Sequence, residues 1–180
     1  MLQAGIFAKP DKEATVYYLQ VKHFDEEGML NQMLHPEVKL DSKVERFLLR
    51  DGDILFAAKG AKNFAVVYYQ QYGMAVASQS FLVIRLANKY RHQVMPEYLA
   101  WFINNPKTLG YLKSAAKGTK IQAITTDVLK ELAIVFPSLE KQKVILKIHE
   151  LRTKEISLRV QIGALRENLL QHQLLQAAEC

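Results

Sequence analysis

With 180 residues, 49% of them apolar and 23% charged, the chain has the composition of an ordinary soluble globular protein, long enough for one cored domain plus an appendage. No apolar run approaches bilayer-spanning length, and the N-terminus leads into polar Lys9-Pro10-Asp11-Lys12-Glu13 rather than a secretory signal. The lone Cys180 excludes an internal disulfide, so a cytoplasmic home is expected; the net charge of +6 favours acidic partners.

In chain order, Thr15 to Phe24 reads as a strand with Tyr17, Leu19 and Val21 on one face, ended by the turn Asp25-Glu26-Glu27-Gly28. His35-Pro36 marks a loop, and residues 38–49 alternate loosely up to Asp51-Gly52, a turn signal that launches the strand Ile54–Ala57. Further strands are expected at Phe64–Tyr69 and Ser80–Leu86. Helices then follow. Pro96 suits a first helical turn, Asn104-Asn105-Pro106 ends that helix and caps a second running to Lys117 and Gly118, and Thr126 caps a short one to Leu132. A strand over Ala133–Phe136 would close an α+β globular domain at residues 1–137.

Residues 138–180 read as one long helix, opened by Pro137 and a Ser138 cap. Ile148, Glu155, Ile162 and Leu169 recur at seven, with Leu151, Leu158 and Leu165 between them, giving a heptad whose a and d positions are apolar except at Glu155. Arg152, Arg159 and Arg166 flank this seam at e. A second, weaker stripe is Ile156, Val160, Leu170 and Leu174. Amphipathic helices more often lie on their own domain, but roughly 40 residues would extend about 60 Å, too far for one small body to cover. A coiled coil is expected, with Ile148, Leu151, Leu158, Ile162, Leu165 and Leu169 as the dimer interface.

The charge is concentrated. Between Ile54 and Thr126 the basic residues are Lys59, Lys62, Arg85, Lys89, Arg91, Lys107, Lys113, Lys117 and Lys120, and the only acid is Glu97. A window so one-sided points to a polyanion, nucleic acid before an anionic membrane. Three loops within it mix cation, hydroxyl and amide: Lys59-Gly60-Ala61-Lys62-Asn63, Ser78-Gln79-Ser80, and residues 117–122. Lys59, Lys62, Lys117 and Lys120 are suited to phosphates and Asn63, Gln79 and Gln122 to base edges, with Thr119 completing the candidate DNA-binding set.

Catalytic signatures are absent: the sequence holds no CxxC, HExxH, glycine-rich phosphate loop or GxSxG elbow, so no catalytic, metal or cofactor residues are assigned. One pattern offers an alternative. Pro10-Asp11 with Asp41-Ser42-Lys43 resembles the two carboxylates and lysine of a metal-dependent nuclease, with Asp11, Asp41 and Lys43 as its residues. A coiled-coil adaptor that does not bind DNA is the third possibility.

Longer stretches carry a family resemblance. Leu49-Arg50-Asp51-Gly52-Asp53-Ile54-Leu55-Phe56 with Lys59-Gly60, then Ser78-Gln79-Ser80-Phe81-Leu82-Val83-Ile84-Arg85, are similar to the target-recognition domain of type I restriction–modification specificity subunits. Pro96-Glu97-Tyr98-Leu99-Ala100-Trp101-Phe102-Ile103-Asn104, Lys117-Gly118-Thr119 and Phe136-Pro137-Ser138-Leu139-Glu140-Lys141-Gln142 resemble the family's later landmarks, in the same order. The resemblance implies a non-catalytic component that recognises double-stranded DNA. Adenine methylation would fall to a modification subunit using S-adenosylmethionine, and cleavage to a restriction subunit. A full specificity subunit has two recognition domains and two such helices, paired antiparallel. This chain resembles a half-subunit, which implies a homodimer reading a bipartite inverted repeat, its helix also docking the modification subunit.

Overall fold

The computed structural model describes residues 1–25, 28–30, 33–60, 62–116 and 123–178. It divides into two compact units, Met1–Leu139 and Glu140–Cys180.

The first unit is built on two sheets. One is four-stranded and antiparallel, in the order β1 (Leu2–Ala4), β7 (Phe81–Ile84), β4 (Ile54–Ala57), β5 (Ala65–Val67). The other is three-stranded, β3 (Pro36–Val38), β2 (Val16–Leu19), β6 (Ala75–Ala77), with β2 antiparallel to β3 and parallel to β6. β4 is buried on both faces, which is why its four residues form an unbroken apolar run instead of alternating. Ile54 and Phe56 pack with Leu99, Ile103, Leu112 and Leu129 of the helices α2 (Pro96–Asn104), α3 (Pro106–Ser114) and α4 (Thr126–Lys130). Leu55 and Ala57 face the second sheet, in a cluster with Leu19, Ala75 and Ala77. Phe24, Phe64 and Phe81 form the aromatic centre of that cluster, with ring centroids 5.7–6.1 Å apart. The far face of the second sheet, Val16, Tyr18 and Val76, packs with Val44 of α1 (Ser42–Glu45).

Local chemistry explains the element ends. Asp51-Gly52 forms the expected turn before β4, Gly52 taking φ +78°, and Asp51 Oδ1 accepts from Gln70 N–H at 2.9 Å. Asn105 both ends α2 and caps α3, its side chain accepting from Lys107 N–H. Asn104 works differently: its amide donates to Ala65 O at 2.8 Å and accepts from Ala65 N–H at 2.7 Å, imitating a strand partner beside β5.

Several expectations need correction. The strand starting near Thr15 ends at Leu19, and Val21–His23 turn into a 3-10 helix instead of extending Val21 along the strand. Residues 38–49 do not alternate as a strand, because Asp41 accepts from the N–H groups of Lys43 and Val44 and starts α1. α3 ends at Ser114, and Ala116 N–H donates to Lys113 O in a tightened last turn; Lys117 and Gly118 lie outside the described residues. The cap of α4 is Thr125, not Thr126. Ala133–Phe136 is not a strand: Val135 O accepts from the Tyr98 hydroxyl at 2.9 Å.

The second unit is the helix α5 (Leu139–Ala178), 40 residues long. Its apolar residues Ile148, Leu151, Leu158, Ile162, Leu165 and Leu169 are 46–68% exposed. Glu155, the polar residue in the seam, accepts ion pairs from Arg152 at 2.8 Å and Arg159 at 2.7 Å on the same helix. Among the described residues, no helix is long and apolar enough to cross a membrane.

Candidate nucleic-acid interface

The two sheets are joined by the turn Ser78-Gln79-Ser80, in which Phe81 N–H donates to Ser78 O at 2.9 Å. Each end of the turn is tied to a different sheet. Ser78 N–H donates to Leu19 O at 2.8 Å, and Ala58 N–H donates to Ser80 O at 2.9 Å. Ser78 is buried, whereas Gln79 is exposed between the two anchors.

Ala58 also locates the other two loops. Its carbonyl accepts from Ile124 N–H at 2.9 Å, and its neighbour Lys59 forms an antiparallel bridge with Ala123. The fold therefore brings Lys59 of the first loop beside the turn Ser78–Ser80 and beside the residue that follows the third loop. Lys59 and Lys62 are exposed. Asn63 is half-buried and donates from Nδ2 to Ala57 O at 2.9 Å, which orients its amide and leaves an acceptor and a second amide hydrogen. Lys117, Thr119, Lys120 and Gln122 lie outside the described residues.

A cleft of about 510 Å³ opens beside the same turn, lined by Phe7, Gln20, Lys22, Glu37 and Gln79 among others. The N-terminal segment forms one wall. Ile6 N–H donates to Ala77 O at 2.9 Å and Gly5 N–H to Phe81 O at 3.0 Å. A Cβ at position 5 would lie 2.1 Å from Ser78 O, so this approach requires glycine. The Tyr18 hydroxyl donates to Ile6 O at 2.9 Å and holds the segment in place. Phe7, the next residue, is 68% exposed. Behind Gln20 and Lys22 lies His23, whose Nδ1 accepts from Gln20 N–H at 3.2 Å. Burial first, and the Lys22 charge second, push the His23 pKa below its ordinary value, which keeps that nitrogen an acceptor.

One residue of the basic window is withdrawn from the surface. Arg85 donates from Nε to Asp53 Oδ1 at 2.8 Å, and from Nη2 to Asp53 Oδ2 at 2.6 Å and Leu48 O at 3.1 Å. Asp53 is fully buried and also accepts from Arg50 N–H at 2.8 Å. The hydrogen bonds to Asp53 push the Arg85 pKa above its ordinary value. This guanidinium is an internal tie between β7 and the start of β4, and it was missed because Asp53 stands just before the basic window. Lys89, Arg91, Lys107 and Lys113 are exposed.

The nuclease pattern is occupied with local structure. Asp11 Oδ1 accepts from Glu13 N–H at 2.8 Å, and Asp41 caps α1. Among the described residues, no group of three or more His, Cys, Asp or Glu could hold a metal ion. Nothing in the spacing of Phe7, Gln20, Lys22 and Glu37 brings them to residues 78–80; the pairing of β2 with β6 places Gln20 and Lys22 there, the pairing of β2 with β3 places Glu37, and the bridge between Ile6 and Ser78 places Phe7.

A family model described as the type I restriction modification DNA specificity domain matches residues 31–161. No curated protein matches the chain.

Proposed function

Because this chain belongs to the family of type I restriction modification DNA specificity domains, we propose that its first unit reads duplex DNA through the surface around Ala58 and the turn Ser78–Ser80. The observation that carries this reading is that Ala58, just before the loop that starts at Lys59, is hydrogen-bonded both to Ser80 of the turn and to Ile124, while Lys59 itself bridges Ala123. Lys59 and Lys62, with Lys117 and Lys120, position the backbone phosphates. Asn63, Gln79 and Gln122 reach base edges, and Thr119 belongs to the same DNA-contacting set.

In this reading the chain performs no chemistry itself and acts in the cytoplasm. It pairs through α5 with a second copy, and the helix pair docks a modification subunit that binds S-adenosylmethionine and methylates adenine. A restriction subunit supplies cleavage. The exposure of the heptad residues on α5 supports the pairing.

Titration of labelled duplex with the full chain at stepped salt concentrations tests the DNA reading. Log affinity should fall linearly with log salt, with a slope of about −0.9 for each phosphate neutralised. Lys59→Ala combined with Lys62→Ala should weaken all sequences alike and reduce the slope by about 0.9 per lysine lost. Affinity that stays flat across the titration overturns the reading.

A further inference from the structure

We propose that the cleft beside the turn Ser78–Ser80 is a base-reading subsite, taking the major-groove edge of one or two base pairs against Gln20, Glu37, Gln79 and Phe7. This rests on the DNA reading above and adds residues to it from β3, the N-terminal segment and the 3-10 turn after β2.

The chemistry of the lining is that of a reader. Gln79 is an exposed amide able to pair with the N6 and N7 atoms of adenine. Gln20 is half-buried, its side-chain oxygen accepting from the His23 N–H, and its amide hydrogens can donate to N7. The Glu37 carboxylate can accept from the N4 amino group of cytosine. Phe7 offers an exposed apolar face of the kind that contacts a thymine methyl. Lys22, also exposed, supplies a cation for the adjoining phosphate.

The supports are rigid where reading requires it. The Gly5 approach to Ser78, the Ile6 hydrogen bond to Ala77 and the Tyr18 hydroxyl fix the wall that carries Phe7. His23 Nδ1 fixes the backbone of Gln20. Ser80 belongs to both regions: it lines the cleft, and its carbonyl accepts from Ala58 beside Lys59. A duplex held by the lysines therefore lies next to the cleft.

The test is selection from a randomised duplex pool by the full chain, followed by dissociation constants on the selected site and on its single base-pair substitutions. Gln20→Ala and Gln79→Ala should each reduce discrimination at one position by about five- to 150-fold while leaving the other positions intact. Phe7→Ala should erase a thymine preference. Gln20→Glu is the sharper variant, because it should move the preference at its position from adenine towards cytosine without removing side-chain volume. Matching thermal melts check that each substitution leaves the fold intact. If all four variants select the wild-type site unchanged while Lys59→Ala with Lys62→Ala still weakens binding, the subsite is refuted and the DNA reading stands. If the wild-type chain shows no salt-dependent binding, both fall together.

Discussion

Asp53 and Arg85 show how differently two charges of one sequence can be used. Both oxygens of a fully buried carboxylate meet a guanidinium that is only 13% exposed, and the remaining partners are the Leu48 carbonyl and the Arg50 amide. Such a pair adds little net stability over an apolar substitute, but breaking it strands a charge. Asp53→Ala should therefore cost about 3–5 kcal/mol in urea unfolding, and Asp53→Ala with Arg85→Ala should cost less than the single change. Lys59→Ala, at an exposed position, should stay within about 0.5 kcal/mol. A double variant no more stable than Asp53→Ala would refute the stranded-charge account. Lys59, Lys62 and Gln79 could be read as surface groups because they lie in short polar loops. Arg85 looked the same in a count of charges, and only the antiparallel pairing of β4 with β7 reveals its partner 32 positions earlier.

Among the elements, those with strong local chemistry were readable: β4 after Asp51-Gly52, α2 and α3 with their prolines and Asn105 cap, and α5 with its heptads. The three-residue strands β1 and β6 were not, since their identity depends on partners distant in sequence, Ile84 to Leu82 for β1 and Tyr17 to Leu19 for β6. The apolar stretch Ala133–Phe136 misled for the converse reason, having strand composition with its backbone oxygen at Val135 taken by Tyr98. Leu158, Ile162 and Leu165 are 46%, 48% and 68% exposed, a degree of apolar exposure that a partner helix would cover. Glu155 is held by Arg152 and Arg159, so the polar seam position is neutralised within its own helix before any partner arrives. Each buried Leu→Ala change in a core typically costs ~2–5 kcal/mol. Leu158→Ala with Leu165→Ala should thus shift the chain towards monomer in sedimentation, without loss of the first unit's thermal transition. A wild-type chain that is monomeric at tens of micromolar would refute the homodimer.

For the whole molecule, one recognition unit followed by one long helix has a geometric consequence on DNA. If two identical chains pair antiparallel about a twofold axis, as proposed above, they must read inverted half-sites separated by an unread spacer. The helix pair then sets the distance between the readers. Deleting one heptad, Leu158 to Ala164, keeps the a and d register and shortens the pair by about 10 Å at 1.5 Å per residue. On a duplex with one turn of ~34–36 Å per ~10 base pairs, this is roughly three base pairs. The selected site should keep both half-sites and lose about three spacer pairs. Affinity should also fall, because the half-sites rotate around the duplex as they approach each other. Cleft variants such as Gln20→Glu should change both half-sites symmetrically and leave the spacer alone, so the two experiments separate reading from measuring. An asymmetric site selected by this chain alone would refute the twofold arrangement. A spacer unchanged after the deletion, with binding retained, would show that something other than the helix sets the distance.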